Sequence, residues 1–350
     1  MTSLSNSGQP VKPHQRPTMR HVAALAGVGI KTVSRVINGE PNVTDATAAK
    51  VREAAESLNY LPDLHAGNLR RTDRKTKTLG LLVGNVGNPF AGAVHRAIED
   101  AAALRGVAVF ASSLDDDPER EFAIVSALLR RRVDGLILTT ASKNQSYLLP
   151  EQERGTRFVF VDREPVGIDA DAVVSDNAAG SSAATRHLIE RGHRHIAFLG
   201  DHSQIQTARE RQRGFLEELG RAGISTRNVV VIEGLNNEGK ARSAMTALLD
   251  SDDPPTAIFS SQDLVTIGAV RALRDRGMHR SVALVGFDDF DLADLLEPGI
   301  TVVAQNPKRI GALAAERLFA RIDGADQAAQ TYTVPTTLIP RGSGEIAPHG

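Results

Sequence analysis

From Thr78 onward the chain repeats one unit, a short apolar run followed by a helix-length amphipathic segment. The apolar runs cover residues 79–83, 107–110, 135–138, 158–161, 196–199, 229–232, 257–259 and 282–285. Between most of them lie amphipathic stretches over 91–105, 119–132, 178–191, 208–223, 238–250 and 264–276. Alternation of this kind predicts βαβ units, with parallel sheets covered by helices. About 270 residues with so many strands suit two sheets better than one. Past Thr301 the pattern adds a strand, a helix over 308–322 and two extended pieces, 331–334 and 338–339.

The residues before Thr78 have a different texture. Residues 1–17 contain three prolines and read as a loose arm. A first helix follows Thr18 as N-cap, with Val22, Leu25 and Ala26 at helical spacing, and Gly27 interrupts it. A second, over 30–37, places Val33, Val36 and Ile37 on one face before Asn38-Gly39 breaks it. Thr44 caps a third, whose stripe is Ala48, Val51, Ala55 and Leu58. The polar, basic run 70–77 then reads as a linker.

Net charge separates the same two regions. Residues 1–77 carry 12 Lys and Arg against 6 Asp and Glu, whereas the remainder carries 29 against 36. A basic module on an acidic body points to an anionic partner at one end, because Lys and Arg displace counterions condensed on phosphates. The chain has no cysteine, which excludes thiol nucleophiles, Cys-ligated zinc, iron–sulfur clusters and disulfides, and fits a reducing cytoplasm. The polar N-terminus lacks the apolar core of a signal peptide, and no stretch reaches the roughly 18 apolar residues of a membrane span. A cytoplasmic protein without membrane partners is expected.

Two helices joined by a tight glycine-containing turn make a helix-turn-helix, whose second helix enters the major groove N-terminus first. Here that helix offers Lys31 to guanine O6 and N7, Thr32 and Ser34 to phosphate or base, Arg35 to either, and Ile30 to a thymine methyl. By themselves these residues also describe a solvated face on an ordinary three-helix unit. Four signatures go further: Val22-Ala23 through Gly27-Val28, Thr32-Val33-Ser34-Arg35-Val36-Ile37-Asn38, the helix start Val43-Thr44, and Leu58-Asn59-Tyr60-Leu61-Pro62. Spaced over about 50 residues, they closely resemble the DNA-binding headpiece of the LacI/GalR family of bacterial transcription regulators. The resemblance implies a homodimer on a pseudo-palindromic operator, with Thr18, Asn38, Asn42 and Val43 joining the reading residues at the DNA. It also implies a hinge helix after Pro62 that inserts Leu69 into the minor groove, with Ala66 small enough for the paired hinges to approach. Gly29 stands where the family usually has a serine, which removes one donor to phosphate. Gly67-Asn68 weakens the hinge, at roughly 1 kcal/mol for the glycine, so a hinge that orders only on DNA is expected.

The resemblance extends over the body, through Asn88-Pro89-Phe90, Val161-Asp162-Arg163, Ser175-Asp176-Asn177, Arg211-Gln212-Arg213-Gly214-Phe215, Val285-Gly286-Phe287-Asp288-Asp289 and Arg341-Gly342-Ser343. It implies two doubly wound lobes like those of a periplasmic sugar-binding protein, joined by three crossings near Asp176, Ala304 and Pro335. In open α/β sheets ligands sit beyond the carboxyl ends of the strands, where this sequence places Asn85, Asn88, Asp162, Arg163, Gln262, Asp263, Asp288 and Asp289. A carboxylate accepts two hydroxyls and a guanidinium donates in a planar fork, so Arg211 and Asp288 are the expected clamp for an effector. Asn88, Phe90, Asp162, Arg163, Thr207 and Gln262 are further candidates. Each Asp also suits a helix cap or turn, Phe90 core packing, and Arg211 a surface salt bridge.

The domain plan is therefore an arm (1–17), a headpiece (18–61), a hinge and linker (62–77), a two-lobed body (78–343) and a tail (344–350). No GxGxxG, GxxxxGK[ST] or nucleophile-elbow motif is present, and His193 and His195 lack a third metal ligand at suitable spacing, so no cofactor, metal or catalytic residue is expected. Nine residues follow Arg341, too few for the leucine heptad helix of tetrameric members, so a dimer is expected. The function implied is repression of metabolic genes under control of a sugar, sugar phosphate or nucleoside, acting as inducer or corepressor. The alternative class is an enzyme carrying a DNA-binding module.

Overall fold

The computed structural model describes residues 16–37, 39–61, 75–225 and 229–348. Asn38, Ala66, Leu69 and most of the expected arm and hinge lie outside the described residues. The chain divides into two compact units, Met1–Thr76 and Lys77–Gly350.

In the first unit, α1 (Met19–Ala26), α2 (Ile30–Ile37) and α3 (Asp45–Ser57) follow the expected order. The Thr18 backbone N–H donates to His21 Nδ1 at 3.1 Å, which fixes the start of α1. Gly27, at φ 67°, ends it in the left-handed conformation that costs glycine least. Thr44 Oγ1 accepts the Thr47 N–H at 3.4 Å and caps α3. Val22, Ala23, Val33, Val51 and Ala54 form the core. Leu25, expected on the buried stripe, is 57% exposed. At about 100° per residue, Val22, Ala26 and Ala23 form a continuous arc and Leu25 falls beyond its edge. In α3, Ala54 is buried more deeply than Ala55.

The second unit contains two six-stranded sheets. The first is built from β1 (Thr78–Val83), β2 (Ala108–Ser113), β3 (Gly135–Leu138), β4 (Arg157–Val161), β5 (Asp171–Ser175) and β11 (Thr331–Val334). Its order is β11-β5-β4-β3-β1-β2, parallel throughout. The second contains β6 (Ile196–Leu199), β7 (Val231–Ile232), β8 (Ala257–Ser260), β9 (Ala283–Phe287), β10 (Thr301–Ala304) and β12 (Thr337–Ile339). It repeats the winding as β12-β10-β9-β8-β6-β7, with only β12 antiparallel. The strand β5 was not anticipated: its apolar stretch is short, and its first residue, Asp171, is a buried carboxylate held by Arg321 at 2.7 Å and Arg317 at 3.3 Å.

Helices α4 (Pro89–Ala103), α5 (Pro118–Arg130), α6 (Leu149–Glu153) and α11 (Pro307–Ile322) belong to lobe one. Helices α7 (Asn177–Glu190), α8 (Gln206–Arg221), α9 (Glu238–Leu249) and α10 (Asp263–Asp275) belong to lobe two. The chain passes between lobes after β5, after β10 and between β11 and β12, which are the three expected crossings. Helices α7 and α8 approach so closely that a Cβ built on Gly214 would lie 2.2 Å from the Ala178 carbonyl oxygen, so only glycine fits there. Residues 344–346, expected to open a tail, instead pack on lobe two: Gly344 N–H donates to Thr301 Oγ1 at 3.0 Å, and His193 Nε2 meets the Ile346 carbonyl at 2.7 Å. No helix among the described residues is long and apolar enough to cross a membrane.

Candidate functional site

Two surfaces carry the polar residues singled out from the sequence. On α2, Val33 is buried while Lys31 and Arg35 are exposed and Ile30 is 45% exposed. Thr32 and Ser34 are half-buried beside them. Arg35 lies 3.9 Å from Glu40, both more than half exposed, a weak pairing that a phosphate would displace. Thr18 and Asn42 are exposed and Val43 half-buried.

The second surface is a cavity of about 330 Å³ between the two lobes of the body, at the carboxyl ends of both sheets. It lies where the winding reverses, between β1 and β3 in one sheet and β6 and β8 in the other. Asn88, Phe90, Asp162, Arg163, Thr207, Arg211, Gln262 and Asp288 all line it. The two halves present matching groups: Asp162 follows β4 at φ 69° and Asp288 follows β9 at φ 72°. Each donates its backbone N–H to the neighbouring strand, Asp162 to Val173 O at 3.0 Å and Asp288 to Val303 O at 2.9 Å. The left-handed backbone at each strand end turns the side chain into the cleft.

Arg211 is held from several sides. Its Nε donates to Asn177 Oδ1 at 2.8 Å, its Nη1 to the Ser261 carbonyl at 2.7 Å, and its guanidinium stacks 3.8 Å from the Phe287 ring centroid. Asp288 lies 3.6 Å from Arg211 Nη1 and accepts from Gln305 Nε2 at 2.6 Å. Burial raises the Asp288 and Asp162 carboxyls above their ordinary range, and nearby guanidiniums only partly oppose it. A neutral hydroxyl donor entering between them would meet acceptors already fixed in place.

Several predicted residues have structural duties as well. Asn88 caps α4 by accepting the Ala91 N–H at 3.1 Å, and its Nδ2 reaches across the cleft to Asp263 Oδ1 at 2.6 Å. Gln262 caps α10 at Leu264 and donates to Asp201 at 3.1 Å. Phe90 packs against the lobe-one core while lining the cavity. Asp263 is fully buried and is not part of the lining, and Asp289 turns away to pair with Arg341 at 2.8 Å. The sequence reading missed Asp115, Asp116, Asp201, Asn236, Asn237 and Gln305, all of which line the cleft. Applied to every strand, the rule of polar residues at carboxyl ends would have found Asp115 and Asp116 after β2 and Asp201 after β6.

Asp263 supplies a pH-dependent element. Its Oδ2 is buried with no hydrogen-bond partner, while Oδ1 accepts from Asn88 and from the Leu264 N–H. Burial, then the neighbouring Asp288, pushes its carboxyl up to about 7, against the pull of the Leu264 and Phe90 N–H groups and of Arg211. An unfolded aspartate releases its proton near 3.9, so the folded state retains a proton that the unfolded state has lost between about pH 4 and 7. This residue's contribution to stability therefore falls over that interval and is level above it. Asp263→Asn keeps the acceptor and removes the charge. Its melting temperature should match the parent's near pH 4 and exceed it increasingly up to pH 7 to 8; a difference independent of pH would refute this account.

Comparison with known proteins gives two family matches. "Bacterial regulatory proteins, lacI family" matches residues 18–63, and "Periplasmic binding protein-like domain" matches residues 185–344. The HTH-type transcriptional repressor PurR of Aliivibrio fischeri (strain MJ11) is 30% identical, covering 93% of this chain and 98% of the relative. The ribose operon repressor of Escherichia coli (strain K12) is 31% identical, covering 93% and 99%. Among solved structures, a transcriptional regulator CelR–cellobiose complex is similar at 33% identity and TM-score 0.68, covering 94% of this chain and all of that one.

Proposed function

Because the chain belongs to the lacI family of bacterial regulatory proteins, we propose that the interlobe cavity is its effector site and that α2 reads its operator. The protein is a sequence-specific DNA-binding repressor, not an enzyme, and its partners are duplex DNA, a small-molecule effector and a second copy of itself. Lys31, Thr32, Ser34 and Arg35 face base edges and phosphates. Asn38, Asn42, Val43 and Thr18 join them at the DNA, with Leu69 as the minor-groove residue and Ala66 as the small residue between paired hinges, assignments that rest on the family resemblance because Asn38, Ala66 and Leu69 lie outside the described residues. The effector is a sugar or a related metabolite, held by Arg211 and Asp288 with Asp162, Arg163, Thr207 and Gln262 around it.

The observation that carries this reading is the convergence of Arg211 with both strand-end aspartates, Asp162 and Asp288, in one cavity between two lobes. An effector that prefers one lobe arrangement shifts operator affinity, and DNA shifts effector affinity by the same factor. The test is a binding titration on an inverted-repeat fragment selected from random duplex, at fixed salt, with and without metabolites that raise the melting temperature. Affinity at least 1,000-fold above random duplex is expected, in line with the roughly 10³–10⁷ range of specific regulators, and at least one metabolite should change it. An effector that weakens binding is an inducer and one that strengthens it a corepressor. No preference for any inverted repeat would overturn the reading.

A further inference from the structure

The effector cavity is the inner part of a longer cleft. A second cavity of about 630 Å³ abuts it, lined by residues that follow β3 and β4 on lobe one and β6 on lobe two. Asp116, Arg163 and Ile205 line both cavities, so the Asp116–Arg163 ion pair, at 2.7 Å, and the Ile205 side chain mark the boundary. Arg163 is buried, and its Nε has no hydrogen-bond partner although its other nitrogens are engaged. Alone, the inner compartment stands at the low end of the roughly 300–1,000 Å³ spanned by small-molecule sites, and the two together approach the upper end.

The charges in the inner compartment are unbalanced. Arg211 answers Asp288, Arg163 answers Asp116, and Arg120 answers Asp115 at 2.7 Å. Asp162 has only the side of Arg163, at 3.8 Å, and Asp201 has only the His202 N–H and the Gln262 amide. Two half-buried carboxylates, one from each lobe, therefore lack a hydrogen-bonded cation of their own. Carboxylates only accept hydrogen bonds, so they favour a ligand rich in hydroxyl donors and repel a phosphate. Flat heterocycles would need aromatic walls, yet Phe90 is the only aromatic residue in the inner lining and the outer lining has no Phe, Tyr or Trp.

We infer that the effector is an electrically neutral oligosaccharide, with one ring between Asp162, Arg211 and Asp288 and the next beyond the Asp116–Arg163 pair in the outer compartment. This rests on the effector-site reading above and narrows it, excluding sugar phosphates and nucleosides. Closing the lobes on hydroxyl donors would relieve the facing carboxylates, which couples occupancy to closure. The orphaned Arg163 Nε would donate to a ring or bridging oxygen at the boundary.

The test is calorimetric titration of the full chain with glucose, galactose and ribose, with neutral di- and trisaccharides of both anomeric linkages, with glucose 6-phosphate and ribose 5-phosphate, and with adenosine. A di- or trisaccharide should bind at least tenfold more tightly than its constituent monosaccharide, and every phosphate ester at least tenfold more weakly than its parent sugar. Val166→Trp, which fills the outer compartment from a half-exposed side chain, should reduce the ratio of oligosaccharide to monosaccharide affinity to about twofold. Asp201→Asn should shrink the penalty against the phosphate esters. If the tightest binder is a monosaccharide, a phosphate ester or adenosine, this inference fails while the effector-site reading stands. If nothing in the series binds and operator affinity responds to none of it, both fail.

Discussion

A chain beginning at Lys77 should lose all measurable preference for the operator while binding effector with unchanged affinity. The cut falls where the body begins: the Lys77 N–H donates to Asp134 Oδ2 at 2.8 Å, and its carbonyl accepts the Ala108 N–H at 2.9 Å, extending the start of the first sheet. The region matched by the lacI family model, residues 18–63, lies before it. What remains has 29 basic against 36 acidic side chains from residue 78 on, so the body repels a phosphate backbone. The expected loss is the whole specific term, on the order of 10³-fold or more. Gel shift or fluorescence anisotropy at physiological salt reads the first part of the claim, and effector calorimetry reads the second. Operator binding retained by the truncated chain would mean that the reading surface had been assigned to the wrong unit.

Arg211→Ala is the second large effect. It removes the donor to Asn177, the donor to Ser261, the stack on Phe287 and the cation facing Asp288 in one step. Truncating one partner of a buried, hydrogen-bonded pair costs roughly 3–5 kcal/mol, because the other charge is left uncompensated. The body should therefore melt at a lower temperature, and effector affinity should fall about 100-fold or more, while operator binding persists. Arg211→Lys separates clamp from scaffold. It keeps a cation near Asp288 but lacks the planar fork, so it should recover most of the melting temperature and little of the effector affinity. Recovery of both would make Arg211 a structural arginine. Loss of operator binding together with effector binding in the alanine variant would point the same way.

The parts of the fold that were legible in the sequence share a physical cause. Strands buried on both faces must be apolar throughout, and the helices that cover them must be amphipathic, so β3 and β6 and the limits of α2 follow from pattern alone. Strand β5 escaped because its burial depends on partners distant in sequence: Asp171 is acceptable inside lobe one only because Arg317 and Arg321 reach it from α11. Leu25 misled because three-residue spacing is compatible with two adjacent faces of a helix, and only the packing of α2 and α3 chooses between them. In the site, Arg211 and Asp288 were marked by their motifs, whereas Asp116 reads locally as part of a helix start and Asp201 carries no motif. Their significance comes from facing each other across a gap, which linear order does not express.

The sequence by itself determined the two-unit plan, the helix-turn-helix and the alternation of strands and helices that makes two sheets, because each is set by local periodicity, turn chemistry or charge count; the doubly wound lobes followed from the resemblance to the LacI/GalR family. Only the tertiary structure decided that Asn88 is spent on a cap and a cross-lobe bond, that Asp263 is sealed away from the cleft, and that Arg163 divides the cleft into two compartments. Those outcomes depend on distances between residues far apart in the chain, and electrostatic and hydrogen-bond energies are functions of such distances rather than of sequence separation.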